Sequence, residues 1–269
     1  MIGALVGDIA GSRFEFRNHR AKEFTLFTPA CRFTDDSVMS LAVAQALLDC
    51  AGDYTALPAA AVREMRAVGQ PYPRCGYGGK FWLWMYAQEP RPYNSYGNGA
   101  AMRVSACGFA AETLAQAAAL SAQVTAVTHN HPEGMKGAEA TAAAVFLARQ
   151  GSSIPEIRRY IEQHYYPLDF TLDGIRASYS FNETCQNTVP QAIEAFLEST
   201  GFEDAIRGAI SVGGDSDTLA AITGGIAEAY YGVSDAIRQQ ATAFLDERLA
   251  TILAAFEAAY PPPAGRENT

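Results

Sequence analysis

The sequence predicts a protein built almost wholly of α-helix. Apolar residues, alanine above all, recur at helical spacing along the 269-residue chain. Alternating strand-like runs are scarce, and the clearest of them, residues 23–27, is short. Small residues fall where helices would cross: Gly3, Gly7 and Gly11 share one face of the first segment.

Each element has its own local reason. Val38, Leu41, Ala42, Gln45 and Leu48 make a turn-by-turn series with one polar interruption. Ala138, Thr141, Ala142, Val145 and Leu147 make another, after Pro132 at a helix start. Ile193, Phe196 and Leu197, then Ala205, Ile206, Ala209 and Ile210, fit two more. Gly224 and Gly225 lie inside a helical pattern, where each costs roughly 1 kcal/mol against alanine. Close backbone packing or a tight ligand site would explain tolerating that cost. Residues 236–259 read as one long C-terminal helix. With no fixed-period repeat and no linker, residues 1–260 read as one domain and 261–269 as a flexible tail.

Composition narrows the class. Hydrophobic residues make up 49% and charged residues 18%, with mean hydropathy −0.05, as in soluble globular proteins. No apolar run is long enough to span a bilayer. The N-terminus lacks a basic stretch and meets Asp8 early, unlike a signal peptide. Cys31, Cys50, Cys75, Cys107 and Cys185 are odd in number and widely spaced, with no CxxC. That suggests neither a zinc ribbon nor a disulfide framework, and the expected setting is a reducing cytoplasm. A net charge of −9 argues against an extended basic surface for nucleic acid. It leaves room for a local basic pocket that takes a small anion.

Two clusters carry chemistry. Thr34-Asp35-Asp36-Ser37 directly precedes the Val38 series and reads either as a helix cap or as a ligand set. Gly213-Gly214-Asp215-Ser216-Asp217-Thr218 precedes Leu219-Ala220-Ala221-Ile222, another helix start. Carboxylates at i and i+2 cannot share a helical face, but an irregular turn allowed by the two glycines can aim both into one site. Four carboxylates and two threonine hydroxyls are a hard, all-oxygen set suited to Mg²⁺, Mn²⁺ or Ca²⁺ and not zinc. If the clusters converge, two divalent ions roughly 3.5–4 Å apart would offset their repulsion.

The chain resembles the ADP-ribosylglycohydrolase family, the ADP-ribosyl-acceptor hydrolases that include the enzyme reactivating dinitrogenase reductase. The matching motifs are Gly3-Ala4-Leu5-Val6-Gly7-Asp8-Ile9-Ala10-Gly11-Ser12, Phe33-Thr34-Asp35-Asp36-Ser37, Gly97-Asn98-Gly99-Ala100-Ala101-Met102-Arg103, Thr128-His129 and the Gly213–Thr218 segment, in family order. The resemblance implies an all-α, single-domain orthogonal bundle around a binuclear Mg²⁺ site. It implies Thr34, Asp35, Asp36, Asp215, Asp217 and Thr218 as metal ligands, with Asp35 and Asp36 also catalytic. Such ions can bind ribose hydroxyls and position a nucleophilic water, and nearby carboxylates stabilise an oxocarbenium-like state.

Glu15 matches a catalytic, mobile glutamate of the serine- and poly(ADP-ribose)-cleaving branch, which would make residues 16–27 a flexible loop over the substrate. The Gly97-Asn98-Gly99 turn offers backbone N–H groups before a helix expected to begin near Ala100, and the resemblance sets it against the substrate diphosphate. Arg103, one turn into that helix, is a possible structural partner for an acidic cluster. His129 is implied as a ribose or phosphate contact. His131 departs from the best-known members, and a capped helix start accounts for it more simply than a metal. Tyr72, Tyr77, Phe81, Trp82, Trp84 and Tyr86 are expected mostly in the core, with one or two free to stack on adenine or shape the acceptor side. Asp8 reads equally as a support for the site or as a satisfied polar group in a glycine-rich helix.

The implied reaction is Mg²⁺-dependent hydrolysis of the bond between ADP-ribose and an acceptor: a protein side chain, another ADP-ribose unit or a nucleobase. Nucleic acid enters only as a modified substrate, no membrane is involved, and the oligomeric state is not encoded. The alternatives are another binuclear-metal hydrolase, such as a phosphohydrolase, and a noncatalytic ADP-ribose-binding or structural member of the family.

Overall fold

The structure is a computed structural model that describes residues 1–261, so the expected tail lies, apart from Pro261, outside the described residues. Its first helices are α1 (Ile2–Gly11), α2 (Asp35–Cys50), α3 (Leu57–Gly69), α4 (Gly79–Tyr86) and α5 (Ser105–Ala110). Then come α6 (Leu114–Ala126), α7 (Pro132–Arg149), α8 (Ile154–His164), α9 (Leu172–Arg176), α10 (Val189–Leu197) and α11 (Phe202–Ile210). The chain ends with α12 (Ser216–Tyr231), α13 (Asp235–Thr242) and α14 (Glu247–Ala259). Among the described residues there is no strand, and the only β-like feature is a lone antiparallel bridge between Gly97 and Thr184. Residues 23–27, the best strand candidate, are irregular.

The centre is the pair α1 and α12. Every residue of α1 is buried, and so is every residue of α12 from Ser216 to Ala229. Glycine makes this pairing possible. A Cβ at Gly7 would overlap the Ala220 carbonyl, and one at Gly224 would overlap that of Gly3. A Cβ at Gly11 would stand 2.6 Å from the Cα of Asp217. The helix-propensity cost of these glycines is therefore the condition for backbone-to-backbone approach. That approach sets the C-terminal end of α1 beside the acidic N-terminus of α12. Around the pair pack α2, α7, α10 and α11.

Caps fix the boundaries. Pro132 stands at the start of α7, and His131 caps that helix by accepting from the Glu133 N–H at 3.1 Å. His131 is thus a capping residue, as the simpler reading held. The C-terminal segment is two helices and not one. α13 ends at Thr242, and the Asp246 side chain accepts from the Leu249 N–H to start α14. The apolar periodicity runs through this break, and the capping carboxylate interrupts the backbone ladder. The chain after Ala100 also differs from expectation. Asn98–Ala100 is a short 3-10 turn, α5 begins only at Ser105, and Arg103 lies in the connection between them. Of the aromatic run, Phe81 and Trp84 are buried, whereas Trp82 and Tyr86 are exposed on the opposite side of α4.

Candidate functional site

The N-terminus of α2 is built around Asp8 of α1. Asp8 is fully buried and accepts from the Thr34 N–H at 2.9 Å, the Thr34 hydroxyl at 2.6 Å, the Ser37 N–H at 3.0 Å and the Ser37 hydroxyl. Both carboxylate oxygens are spent on the first turn of α2. Asp8 is thus a cross-helix anchor that fixes where Asp35 and Asp36 point. Thr34 is also the N-cap, its hydroxyl accepting from the Asp36 N–H at 3.3 Å. Capping and site-building are the same arrangement here.

The N-terminus of α12 supplies the second set. Gly213 and Gly214 both hold φ +75, the left-handed region that glycine enters without a Cβ penalty. The turn they form delivers Asp215, Asp217 and Thr218 to the start of α2, where the Thr218 hydroxyl donates to Asp36 at 3.3 Å. The two clusters, far apart in sequence, do converge. Asp8, Asp36 and Asp217 each bring a carboxylate oxygen within 4.8 Å of the others, and so do Glu15, Asp215 and Asp217. Asp217 belongs to both groups.

Glu15 reaches this cluster from the irregular segment after α1. The Asn18 side chain accepts from the Gly214 N–H at 2.8 Å, and Phe16 stacks on Phe181 at 6.0 Å. Farther along, Arg20 donates to the carbonyls of Val212 at 3.1 Å and Tyr179 at 2.6 Å. The segment is therefore held against the Gly213-Gly214 turn.

The electrostatics ask for a cation. Burial raises the carboxyls of Asp35, Asp36 and Asp217 well above the usual range, and their neighbours' charge adds to it. Glu15 is pushed up to about 7, by burial first and then by Asp215. One oxygen of Asp36 is buried without a hydrogen-bond partner. An orphaned carboxylate oxygen inside a repelling, all-oxygen set fits a hard divalent cation.

The cluster forms one wall of a cavity of about 290 Å³. Glu15, Asp35, Asp36, Asp215, Asp217 and Thr218 line it together with Gly97, Asn98, Gly99 and His129. Thr34 alone of the expected site residues does not, because its hydroxyl is turned to Asp8. Asp35 faces the cavity but stands outside both carboxylate groups. The Asn98 amide donates to Asp215 at 2.7 Å, joining the Gly97-Asn98-Gly99 turn to the acidic cluster.

The family model for ADP-ribosylglycohydrolase matches residues 1–262. The chain belongs to the ADP-ribosylglycohydrolase family. It is accordingly a hydrolase of glycosidic bonds to ADP-ribose. ADP-ribosylhydrolase ARH3 of Homo sapiens is 28% identical over 315 aligned positions, covering 87% of this chain and 84% of that protein. ADP-ribosylarginine hydrolase Tri1 of Pseudomonas putida (strain GB-1) is 26% identical, covering 87% of this chain and 70% of that one. The fold agrees: a solved structure of an ADP-ribosylglycohydrolase-related protein complex superposes with a TM-score of 0.71 at 21% identity, covering 96% of this chain and 95% of that one.

Two features of this candidate site differ from what the sequence suggests. The Gly97-Asn98-Gly99 turn does not offer a row of free amides. Gly97 N–H donates to the Ser95 hydroxyl at 3.1 Å and Asn98 N–H to the Glu183 carbonyl at 2.8 Å. Of the three, only the Gly99 N–H has no partner among the described residues. Arg103 is not paired with an acidic cluster either. It is buried and donates to the Thr128 hydroxyl at 2.6 Å and to His129 Nδ1 at 2.8 Å. No sequence signal tied Arg103 to His129, since the pairing depends on how the Thr128-His129 turn folds back on the connection before α5. No described helix is long and apolar enough to cross a membrane.

Proposed function

We propose that the chain releases ADP-ribose from a modified acceptor by hydrolysis at the anomeric carbon, with two Mg²⁺ held by Asp35, Asp36, Asp215, Asp217 and Thr218, and by Thr34 through the lone pair its hydroxyl keeps while donating to Asp8. The observation that carries this reading is that Asp217 lies within reach of both Asp36 and Asp215, on a cavity wall that also holds Asp35, Thr218 and the Gly97-Asn98-Gly99 turn. Mn²⁺ suits the same oxygen set. When bound, the cations supply Lewis-acid charge and a positioned water.

The chain's own residues do the rest. Asp8 and Asn98 hold the two clusters in register through the bonds described above. Glu15, beside Asp215 and Asp217, accepts the proton of the attacking water or protonates the leaving group, and its raised affinity for a proton suits either task. The carboxylates stabilise positive charge as it develops on the ribose ring. The Gly97-Asn98-Gly99 side of the cavity takes the diphosphate and His129 contacts it. Glu15 supports the branch that cleaves serine-linked and polymeric ADP-ribose.

The test is release of free ADP-ribose from arginine-linked, serine-linked and poly(ADP-ribose) substrates, with Mg²⁺ and with a chelator. The expected result is Mg²⁺-dependent release, fastest from the serine-linked or polymeric substrate. No release from any of them would overturn the reading in favour of a noncatalytic binding protein.

A further inference from the structure

His129 is only 5% exposed, yet its ring forms part of the cavity wall. Its Nδ1 lies 2.8 Å from Arg103 Nη2 and 2.8 Å from the Thr128 hydroxyl. A guanidinium can only donate. Nδ1 must therefore present its lone pair, and the ring, if neutral, carries its proton on Nε2. Neutrality follows from the surroundings. Burial, reinforced by the adjacent Arg103, holds His129 well below the ordinary imidazole range. Arg103 itself stays cationic at neutral pH, since burial brings it down only to about 10. The other titratable ring against His129 is Tyr93, at 5.6 Å, and its proton is held more tightly than usual by burial.

Nε2 points to the Gly97-Asn98-Gly99 turn. A Cβ at Gly99 would stand 3.4 Å from it, and one at Gly97 would stand 3.6 Å away. Nε2 has no hydrogen-bond partner among the described residues, and the free Gly99 N–H opens on the same turn. Behind the ring, Arg103 is 1% exposed, forms no ion pair among the described residues and leaves its Nε without a partner. Its guanidinium lies over the Phe81 ring at 5.5 Å. Asp35 is the acidic side chain whose charge acts on it, from beyond ion-pair distance, and a buried cation so weakly compensated is costly unless a ligand supplies more counter-charge.

We infer that Arg103 is a positioning residue that locks His129 as a neutral Nε2–H donor facing the Gly97-Asn98-Gly99 turn, where it and the Gly99 N–H receive a phosphate oxygen of the ligand. Arg103 supplies the charge and His129 the directed hydrogen bond. The two glycines keep that donor uncovered. The identity of the ligand rests on the ADP-ribose reading above; the tautomer does not. Because the donor needs no protonation step, it serves an anion equally well across the neutral range.

The experiment is ¹⁵N NMR of histidine-labelled protein, paired with calorimetric titration of ADP-ribose in Mg²⁺. In the wild type, His129 should show an unprotonated Nδ1 and a protonated Nε2 that do not change from about pH 6 to about pH 8. Arg103→Met should release Nδ1, giving mixed tautomers and a titrating ring. It should weaken ADP-ribose roughly 10- to 100-fold, the scale of one hydrogen bond to a charged group, without changing Mg²⁺ affinity. Arg103→Lys keeps a cationic donor and should restore the tautomer and much of the affinity. Gly99→Ala places a methyl at ordinary contact distance, so it should fold and keep the tautomer while weakening ADP-ribose. Should Arg103→Met not fold, the lysine and alanine variants carry the test. A wild-type proton on Nδ1, or Arg103→Met with unchanged tautomer and affinity, would overturn the inference. A correct tautomer in a protein that does not bind ADP-ribose would overturn the ligand and leave the Arg103–His129 lock standing.

Discussion

At the scale of single residues, Asp217 is the most exposed to test. It belongs to both carboxylate groups, so its loss touches every cation the cluster can hold. Asp217→Asn keeps the volume and removes one charge. Turnover should fall by at least roughly 10³-fold, and calorimetric Mg²⁺ binding should vanish, the expected consequence of removing a shared ligand from a metal-dependent site. Turnover near wild type would sink the metal assignment. Glu15 separates the proton-transfer role from metal binding. Glu15→Gln should lower kcat by roughly 10²- to 10⁴-fold, the range for general acid–base catalysis, while the protein still binds Mg²⁺. Equal loss of Mg²⁺ binding would instead make Glu15 a ligand, which its closeness to Asp215 and Asp217 permits. Asp8 is a different kind of residue, because its oxygens are occupied by four donors from Thr34 and Ser37. Asp8→Ala leaves those buried donors unpaired and should cost about 3 kcal/mol in denaturant unfolding.

At the scale of elements, the site depends on how closely α1 lies on α12. Gly7→Ala tests this, since a methyl there must displace the Ala220 carbonyl, which is backbone and cannot rotate away. The helices must separate, at a cost of roughly 1–3 kcal/mol or more. Because Asp8 and Asp217 ride on the two helices, Mg²⁺ affinity should fall along with the melting temperature. Intact Mg²⁺ binding in a destabilised Gly7→Ala variant would show that the site is set by the loops alone. The glycine spacing on α1 and the two acidic helix starts were legible in the sequence because they are local patterns: one face, one cap, one turn. The break between α13 and α14 was not, because apolar periodicity continues across residues 243–245 while the decisive signal is the single Asp246 cap. The Arg103–His129 contact was also beyond reach, since nothing in either motif says which donors meet in three dimensions. The same holds for the occupied amides at Gly97 and Asn98, whose partners Ser95 and Glu183 carry no motif of their own.

At the scale of the whole molecule, the acidic cluster makes stability a function of both pH and metal. Asp8, Asp35, Asp36, Asp215, Asp217 and Glu15 are all raised by burial, so the folded protein without cations holds protons that the unfolded chain gives up. Stability rises with pH only where the unfolded state binds more protons, and here the folded state does. The metal-free protein should therefore lose stability as pH climbs. For Glu15 the window runs from its ordinary value of 4.5 to about 7. Asp204 and Glu257 are shifted the opposite way, downward, so their contribution levels off above their ordinary values, in the lowest part of that window. Divalent cations bind the ionised carboxylates and reverse the balance, with a stabilisation that grows with pH. Thermal melts with chelator should show a melting temperature that declines from about pH 5 to about pH 7. Saturating Mg²⁺ should raise it more at about pH 8 than at about pH 5.5, and Asp217→Asn should flatten both trends. A chelated protein that gains stability across that window, or a Mg²⁺ increment independent of pH, would mean that the cluster is not the place where protons and metal compete.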